Sequence, residues 1–440
     1  MPVSKNLLHN NTVPCDIEVL TEKKKIINIK LWLPSYMAAN KTKENQGILM
    51  RPFVNKQHKP HTDVVSLVDA VLSQAVQSNA TDIHFEPTDD GLVIKYRLDG
   101  LLTSLETLPK AVSENCVARL KVLGGLLTYR NDIPQEGRIE SDAGQYKDVM
   151  DLRLAIFPTI YGQRAVVRIL YQNDQLVDLG QLGFPGHVAD ILKDFACQSQ
   201  GILLLTGPAG TGKSTTLAAL MRTILDTTPG RSIVTLEDPV EIRIKGVTQV
   251  QITPHGDMTF PVALRSLLRQ DPQVLMIGEV RDAETARIAV EAGLTGHLLA
   301  STLHSGTPAG ALLRLLEMGI EPYQVTSSVC AVINQRLVRR LCDRCKTQNE
   351  DSSFDAAGCD HCLHTGYTGR ILLAEAIQLD RTLRQAVLNR ADLEELEMIL
   401  ATQGRDTIEM HAAHLISQGQ TSKQEIARVL GYRRPTTRNQ

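Results

Sequence analysis

Residues 202–225 read ILLLTGPAGTGKSTTLAALMRTIL. The apolar run 202–206 predicts a buried strand, and the Ala/Leu/Met-rich stretch 214–225 predicts a helix. Between them, Gly207, Pro208, Ala209, Gly210, Thr211, Gly212, Lys213 and Ser214 fill every position of G-x-x-x-x-G-K-[ST]. Strand–loop–helix is the setting that gives this pattern its chemistry. The glycines let backbone N–H groups wrap a β-phosphate at a helix N-terminus, where the helix dipole favours negative charge. Lys213 then reaches the β- and γ-phosphates, Ser214 offers its hydroxyl to Mg²⁺, and Thr215 completes the set. The motif predicts a site for a nucleoside triphosphate.

The chain of 440 residues is long enough for two or three domains, each with its own core. A net charge of −2 supplies no global basic field, so no nucleic-acid partner is expected. The charge is uneven: residues 1–60 carry ten Lys/Arg against four Asp/Glu, a basic leader on an acidic body. No apolar run approaches the ~18 residues that span a bilayer. The opening MPVSKNLLHNNTVP lacks the apolar core of a secretory signal. A cytoplasmic protein is expected, with any membrane role coming through docking.

Four of the eight cysteines form two knuckles, Cys342-x-x-Cys345 and Cys359-x-x-Cys362, thirteen residues apart. That spacing suits a tetrahedral Zn²⁺ thiolate site better than disulfides, with His361 and His364 as possible substitute ligands. Four thiolates leave no open position for water, so the expected role is structural.

Along the chain, residues 1–60 read as a partly alternating hairpin (17–33) followed by a polar linker (40–60). Residues 61–172 read as an α+β domain: a helix at 64–77, strands at 82–87, 91–102, 149–157 and 164–170, and a helix at 111–127. A linker, 173–184, leads into 185–440, where strands at 202–206, 233–236, 274–277 and 298–301 alternate with helices. That is the pattern of a parallel sheet covered on both faces. The cysteine knuckles interrupt it as an inserted arm, and residues 391–430 read as a helical cap.

Polar clusters follow three of these strands, which would gather them at the sheet's carboxyl edge beside the phosphate loop. Glu237-Asp238-Pro239-Val240-Glu241 holds three carboxylates in five residues, enough for a base that deprotonates water and an outer Mg²⁺ contact. Val274-Leu275-Met276-Ile277-Gly278-Glu279 is a Walker B strand with Gly278 at the position usually given to Asp. Mg²⁺ would therefore rest on Ser214, phosphates and waters, with Glu279 acting directly or through water. His297 and His304 bracket the next strand and could sense the γ-phosphate or link the carboxylate clusters.

Together these boxes resemble the secretion-ATPase superfamily, and within it the assembly ATPases of type II secretion and type IV pili. The carriers are GPAGTGKS (207–214), EDPVE (237–241), LLRQDPQVLMIGEVRD (267–282) and GHLLASTLH (296–304). SNATDIHFEP (78–87), YRLDG (96–100), IPQEGR (133–138) and the four-cysteine arm add to them. The likeness covers about residues 62–435. It implies an α/β fold: a RecA-like P-loop ATPase domain (185–440) after an N-terminal α+β, PAS-like domain (61–172). A zinc arm (338–370) and a helical cap (373–435) complete it.

The resemblance also implies roles. Glu241 would be the general base and Glu279 the Walker B acid. Arg153 and Arg168, from the N-terminal domain, and Arg265 and Arg269 would reach the γ-phosphate, tying hydrolysis to domain closure. The cofactors implied are ATP, Mg²⁺ and Zn²⁺. Six subunits would form a ring docked peripherally on an inner-membrane platform protein, driving assembly of a pilus or pseudopilus. Two departures stand out: residues 1–60 are shorter than the family's usual docking domain, and Gln163 stands where the family commonly has Glu. Rival expectations are a pilus retraction ATPase, a DNA-uptake or conjugation ATPase, and a nucleotide-binding regulator without turnover. The cysteine arm speaks against the first, the acidic body against the second, and intact Lys213, Glu241 and Glu279 against the third.

Overall fold

Alternation decides both sheets. The computed structural model describes residues 63–140, 149–171, 178–252 and 256–431. The readings of residues 1–60 fall outside them, as does the first part of the 173–184 linker.

The first unit runs α1 (Val64–Gln77), β1 (Asp82–Pro87), β2 (Gly91–Leu98), β3 (Leu101–Pro109), α2 (Lys110–Leu123), β4 (Gln135–Ile139), β5 (Val149–Thr159) and β6 (Gly162–Tyr171). Asp63 caps α1 by accepting the Val65 N–H, and Leu67, Val68, Val71, Leu72 and Ala75 bury its apolar stripe. The strands form an antiparallel sheet in the order β3-β2-β1-β6-β5-β4. Ile83, Phe85, Ile94, Tyr96, Leu152, Leu154 and Val167 share one core with α1 and α2. The intervening positions carry charge: Arg97 and Arg168 flank Asp82, Arg153 lies opposite Arg168, and Arg138 lies opposite Arg153. The strand expected at 91–102 is two strands, because Asp99 and Gly100 turn the chain with φ of 48° and 90°.

The second unit holds α3 (Gly186–Cys197), β7 (Gly201–Thr206), α4 (Lys213–Thr227), β8 (Ile233–Glu237), β9 (Thr248–Gln251), α5 (Phe260–Leu267), β10 (Val274–Ile277), α6 (Ala283–Leu294) and β11 (Leu298–Leu303). It continues through α7 (Pro308–Glu317), α8 (Pro322–Ser328), β12 (Val329–Leu341), β13 (Lys346–Gln348), β14 (Phe354–Ala356) and β15 (Tyr367–Gln378). It closes with α9 (Arg381–Leu388), α10 (Leu393–Thr402), α11 (Ile408–Ser417) and α12 (Lys423–Leu430). The main sheet has the order β15-β12-β7-β11-β10-β8-β9. Along β7, Ile202 and Leu204 enter one core while Leu203 and Leu205 enter the core on the opposite face. Period-2 geometry turns an unbroken apolar run into a strand buried on both sides.

Two expectations are corrected. The sheet is mixed, because β15 runs antiparallel to β12. Residues 373–378, assigned to the helical cap, belong to β15, so the cap's helices begin at α9. The cysteine arm is the connection between β12 and β15, and β13 and β14 pair within it. No helix among the described residues is long and apolar enough to cross a membrane.

The cap is fastened to β12 by one buried carboxylate. Glu425 accepts from the Arg339 backbone N–H at 3.0 Å, from the Arg339 guanidinium at 2.7 and 3.0 Å, and from Arg428 at 2.6 and 2.8 Å. Burial alone would raise the Glu425 carboxyl, but the bonds from Arg428 and Arg339 outweigh it and hold the group below its ordinary range. A carboxyl lowered on folding stabilises above its unfolded value of about 4.3, and that stability is lost as acid protonates the folded group. The cap should therefore loosen first on acidification below about pH 4. Glu425→Ala should destabilise the fold by about 3–5 kcal/mol in urea titrations, since the largely buried Arg339 guanidinium loses its carboxylate partner.

Candidate functional site

The carboxyl ends of β7, β11, β10 and β8 line up in parallel register. Leu205 pairs with Thr302, Ile277 with Ser301, and Ile277 with Leu236. The segments that follow these strands therefore meet at one edge, where a cleft of about 780 Å³ opens. Ala209, Gly210, Gly212, Lys213, Ser214, Thr215, Asp238, Glu241, Glu279, Arg281 and His304 line it.

The phosphate-loop sequence takes the conformation its glycines allow. Gly207 has φ of 137°, and a Cβ there would sit 2.4 Å from the Gln335 carbonyl oxygen of β12. Gly212, at φ of 86°, precedes the first turn of α4. Lys213 Nζ donates to the Gly207 carbonyl at 2.7 Å and the Pro208 carbonyl at 2.8 Å. Burial holds its ammonium below the ordinary lysine range, while Glu279 and Glu241 pull the other way. A lysine so placed, with carboxylates facing it across an open cleft, fits the negative charge of a polyphosphate.

The carboxylates divide by environment. Glu237 is buried, accepting from Thr235 Oγ1 at 2.6 Å and Gln249 Nε2 at 3.0 Å, and burial raises its carboxyl. It braces β8 against β9 while bordering the cleft. Asp238 and Glu241 face the cleft on either side of the cis Asp238–Pro239 peptide. Glu279 is held on both sides, by Arg281 and by His304 Nε2 at 3.4 Å. Gly278, at the position usually given to Asp, donates its N–H to the Leu236 carbonyl at 2.8 Å and accepts from Thr302 Oγ1 at 2.8 Å.

The other sequence candidates are not brought together here. His297 is at the opposite, amino edge of the sheet, its Nδ1 on the Ala292 carbonyl at 3.1 Å and its own carbonyl accepting from Gly201 N–H. Seven positions of chain separate it from His304, about 20 Å of extended strand. Arg153 bonds Asp151 at 3.3 Å and Arg168 bonds Asp82 at 3.0 Å, both on the first sheet. Arg265 pairs with Glu284 at 2.5 Å, and Arg269 is exposed just past α5. None of these four arginines lines the cleft of the single chain.

Sequence reasoning missed other residues. Gln335 Nε2 donates to the Thr211 carbonyl at 2.8 Å, and its Oε1 accepts from Thr216 Oγ1 at 3.1 Å. Arg336 donates to the Asn334 side chain at 2.6 Å and to the Gly306 carbonyl at 2.9 Å. The available signal was the polar trio Asn334-Gln335-Arg336 inside the otherwise apolar start of β12. From the first unit, Asp99 reaches the rim of the cleft and accepts the Gly369 N–H at 2.9 Å.

In the arm, Cys342, Cys345, Cys359 and Cys362 offer four sulfurs within 4.8 Å of one another. Three of the sulfur pairs lie 3.8–3.9 Å apart. A tetrahedron with Zn–S of about 2.3 Å has edges of about 3.8 Å, so the donor set fits zinc in both chemistry and spacing. His364 pairs with Asp360 at 3.1 Å, and neither His361 nor His364 joins the cluster.

The profile of the family described as "Type II/IV secretion system protein" matches residues 57–428. The type II secretion system ATPase E of Vibrio cholerae serotype O1 is 39% identical over 383 residues, covering 83% of this chain and 75% of that protein. The type IV pilus assembly ATPase PilB of Thermus thermophilus is 36% identical over 377 residues, 82% of this chain and 42% of PilB. The crystal structure of the Legionella pneumophila ATPase DotB superposes with a TM-score of 0.63 at 22% identity, covering 86% of this chain and 99% of that one. It shares the α/β architecture. On the extent of the profile match and the identity to these relatives, the chain belongs to the type II/IV secretion system protein family.

Proposed function

We propose that this chain is a motor ATPase that drives pilus or pseudopilus assembly, working as a homohexamer docked peripherally on an inner-membrane platform protein. The observation that carries this reading is the convergence of Lys213, Glu241 and Glu279 on one cleft with the phosphate loop. Residues Gly207 to Thr215 bind the phosphates of ATP, with Lys213 neutralising their charge. Glu241 takes the proton of the attacking water. Ser214 and Glu279 are the oxygen donors that would hold Mg²⁺, which when bound draws charge from phosphate oxygens. His304 and Arg281 keep the Glu279 carboxylate oriented. Arg153, Arg168, Arg265 and Arg269 fit a role that requires domain closure or a neighbouring subunit, and no role at the site is proposed for His297.

Two separate cores support the division into an N-terminal, PAS-like domain (61–172) and a RecA-like ATPase domain (185–440). The sulfur spacing supports a structural zinc in the arm. The test is twofold. Purified chain should release phosphate from ATP and Lys213→Ala should not; equal rates would remove the ATPase assignment from this cleft. Cells lacking the chain should lose surface pili or secreted substrate, whereas an excess of pili would make it a retraction motor.

A further inference from the structure

Gln335 is fully buried, yet both atoms of its amide are engaged by the nucleotide-binding elements. β12 runs parallel to β7, with Asn334 opposite Thr206, so the next residue, Gln335, lies beside the start of the phosphate loop. Its Nε2 pulls on the Thr211 carbonyl and its Oε1 holds Thr216 Oγ1 in the first turns of α4. In a planar trans peptide, the C=O of one residue and the N–H of the next point in opposite directions. Drawing the Thr211 carbonyl inward to Gln335 therefore turns the Gly212 N–H outward, and Gly212 lines the cleft.

The structure assigns to Gln335 the role of a positioning residue that aims the Gly212 N–H at the β-phosphate of bound nucleotide. It does so through Thr211, without touching the nucleotide. This rests on the cleft being the nucleotide site, as proposed above. The neighbours on β12 extend the same rigid seat. Arg336 ties the strand to Gly306 beyond the His304 segment, and Asn334 Nδ2 donates to Glu375 at 2.7 Å.

The test is fluorescent-ADP binding to the full chain and to Gln335→Glu, with thermal melting as the control for folding. At about pH 8 an ionised carboxylate can accept from Thr216 but cannot donate to Thr211, so ADP should bind at least about tenfold more weakly than to the parent chain. At about pH 6 a buried carboxyl regains its proton and can donate, so affinity should recover relative to the parent measured at the same pH. A merely space-filling glutamine would give no such pH profile. Parent-like affinity at about pH 8, or a loss that acid does not relieve, overturns the assignment. Should Gln335→Glu fail to fold, Gln335→Met carries the comparison: a tenfold loss supports positioning and unchanged affinity overturns it. Failure of the parent chain to bind ADP would instead remove the nucleotide site itself.

Discussion

Glu241→Gln should bind ATP as tightly as the parent chain and turn it over at least about 100-fold more slowly, the usual contribution of a general base. The substitution keeps size and shape and removes only the ability to take a proton. Ground-state binding falls to the loop and Lys213, whose ammonium is anchored on Gly207 and Pro208 and stays in place. Glu237, the last residue of β8, is spent on Thr235 and Gln249. Glu279 is clasped by Arg281 and His304, which suits a fixed charge better than a proton carrier. Glu241 is exposed at the cleft and free to meet water. Nucleotide affinity together with single-turnover phosphate release separates the two effects. Undiminished turnover would remove Glu241 from the base role, and lost affinity would place it among the binding groups.

Purified chain should carry about one zinc, and Cys342→Ser or Cys362→Ser should lose it. Cys342 and Cys362 are buried in the arm, and Cys362 Sγ also accepts the Gly366 N–H at 3.2 Å. In isolated zinc-binding peptides the metal contributes about 10–16 kcal/mol of apparent binding energy, far more than this short arm can raise from its own packing. Loss of the metal should therefore unfold the arm, and the effect should spread. Leu363, between the second knuckle and β15, packs on the core of the first unit, and Gly369 donates to Asp99. Metal analysis should read the loss directly, and limited proteolysis should find new cuts between residues 338 and 370. A chelated chain with full protease resistance would show that the arm stands without metal.

Much of the site was legible in local sequence because its logic is local. A phosphate loop needs glycines at fixed offsets between a strand and a helix, and ILLLT and STTLAALMRTIL supply those flanks without help from the rest of the chain. Strand ends were legible too, since apolar runs stop where polar groups begin, and β10 runs from Val274 to Ile277 as read. That Glu237 is tied to Thr235 and Gln249 was not legible, because composition cannot tell a carboxylate inside a sheet from one beyond its edge. Of the two histidines only His304 reaches the cleft, for a geometric reason available beforehand: residues at the two ends of one strand emerge at opposite edges.

What the sequence determined by itself was the chemistry: a polyphosphate-binding loop, carboxylates to work beside it, and four thiolates at metal spacing. Each is written within one short segment, where dihedral preference and ligand geometry act over a few residues. What only the tertiary structure decided was the seating of that chemistry. Gln335 supports the loop from 124 positions away, and β15 turns back antiparallel to hold the strand that carries it. Asp99 closes the rim from the other sheet, 270 positions from its partner. Such contacts follow from which strand lies beside β7. That choice is made by burial summed over the whole sheet, which no single segment records.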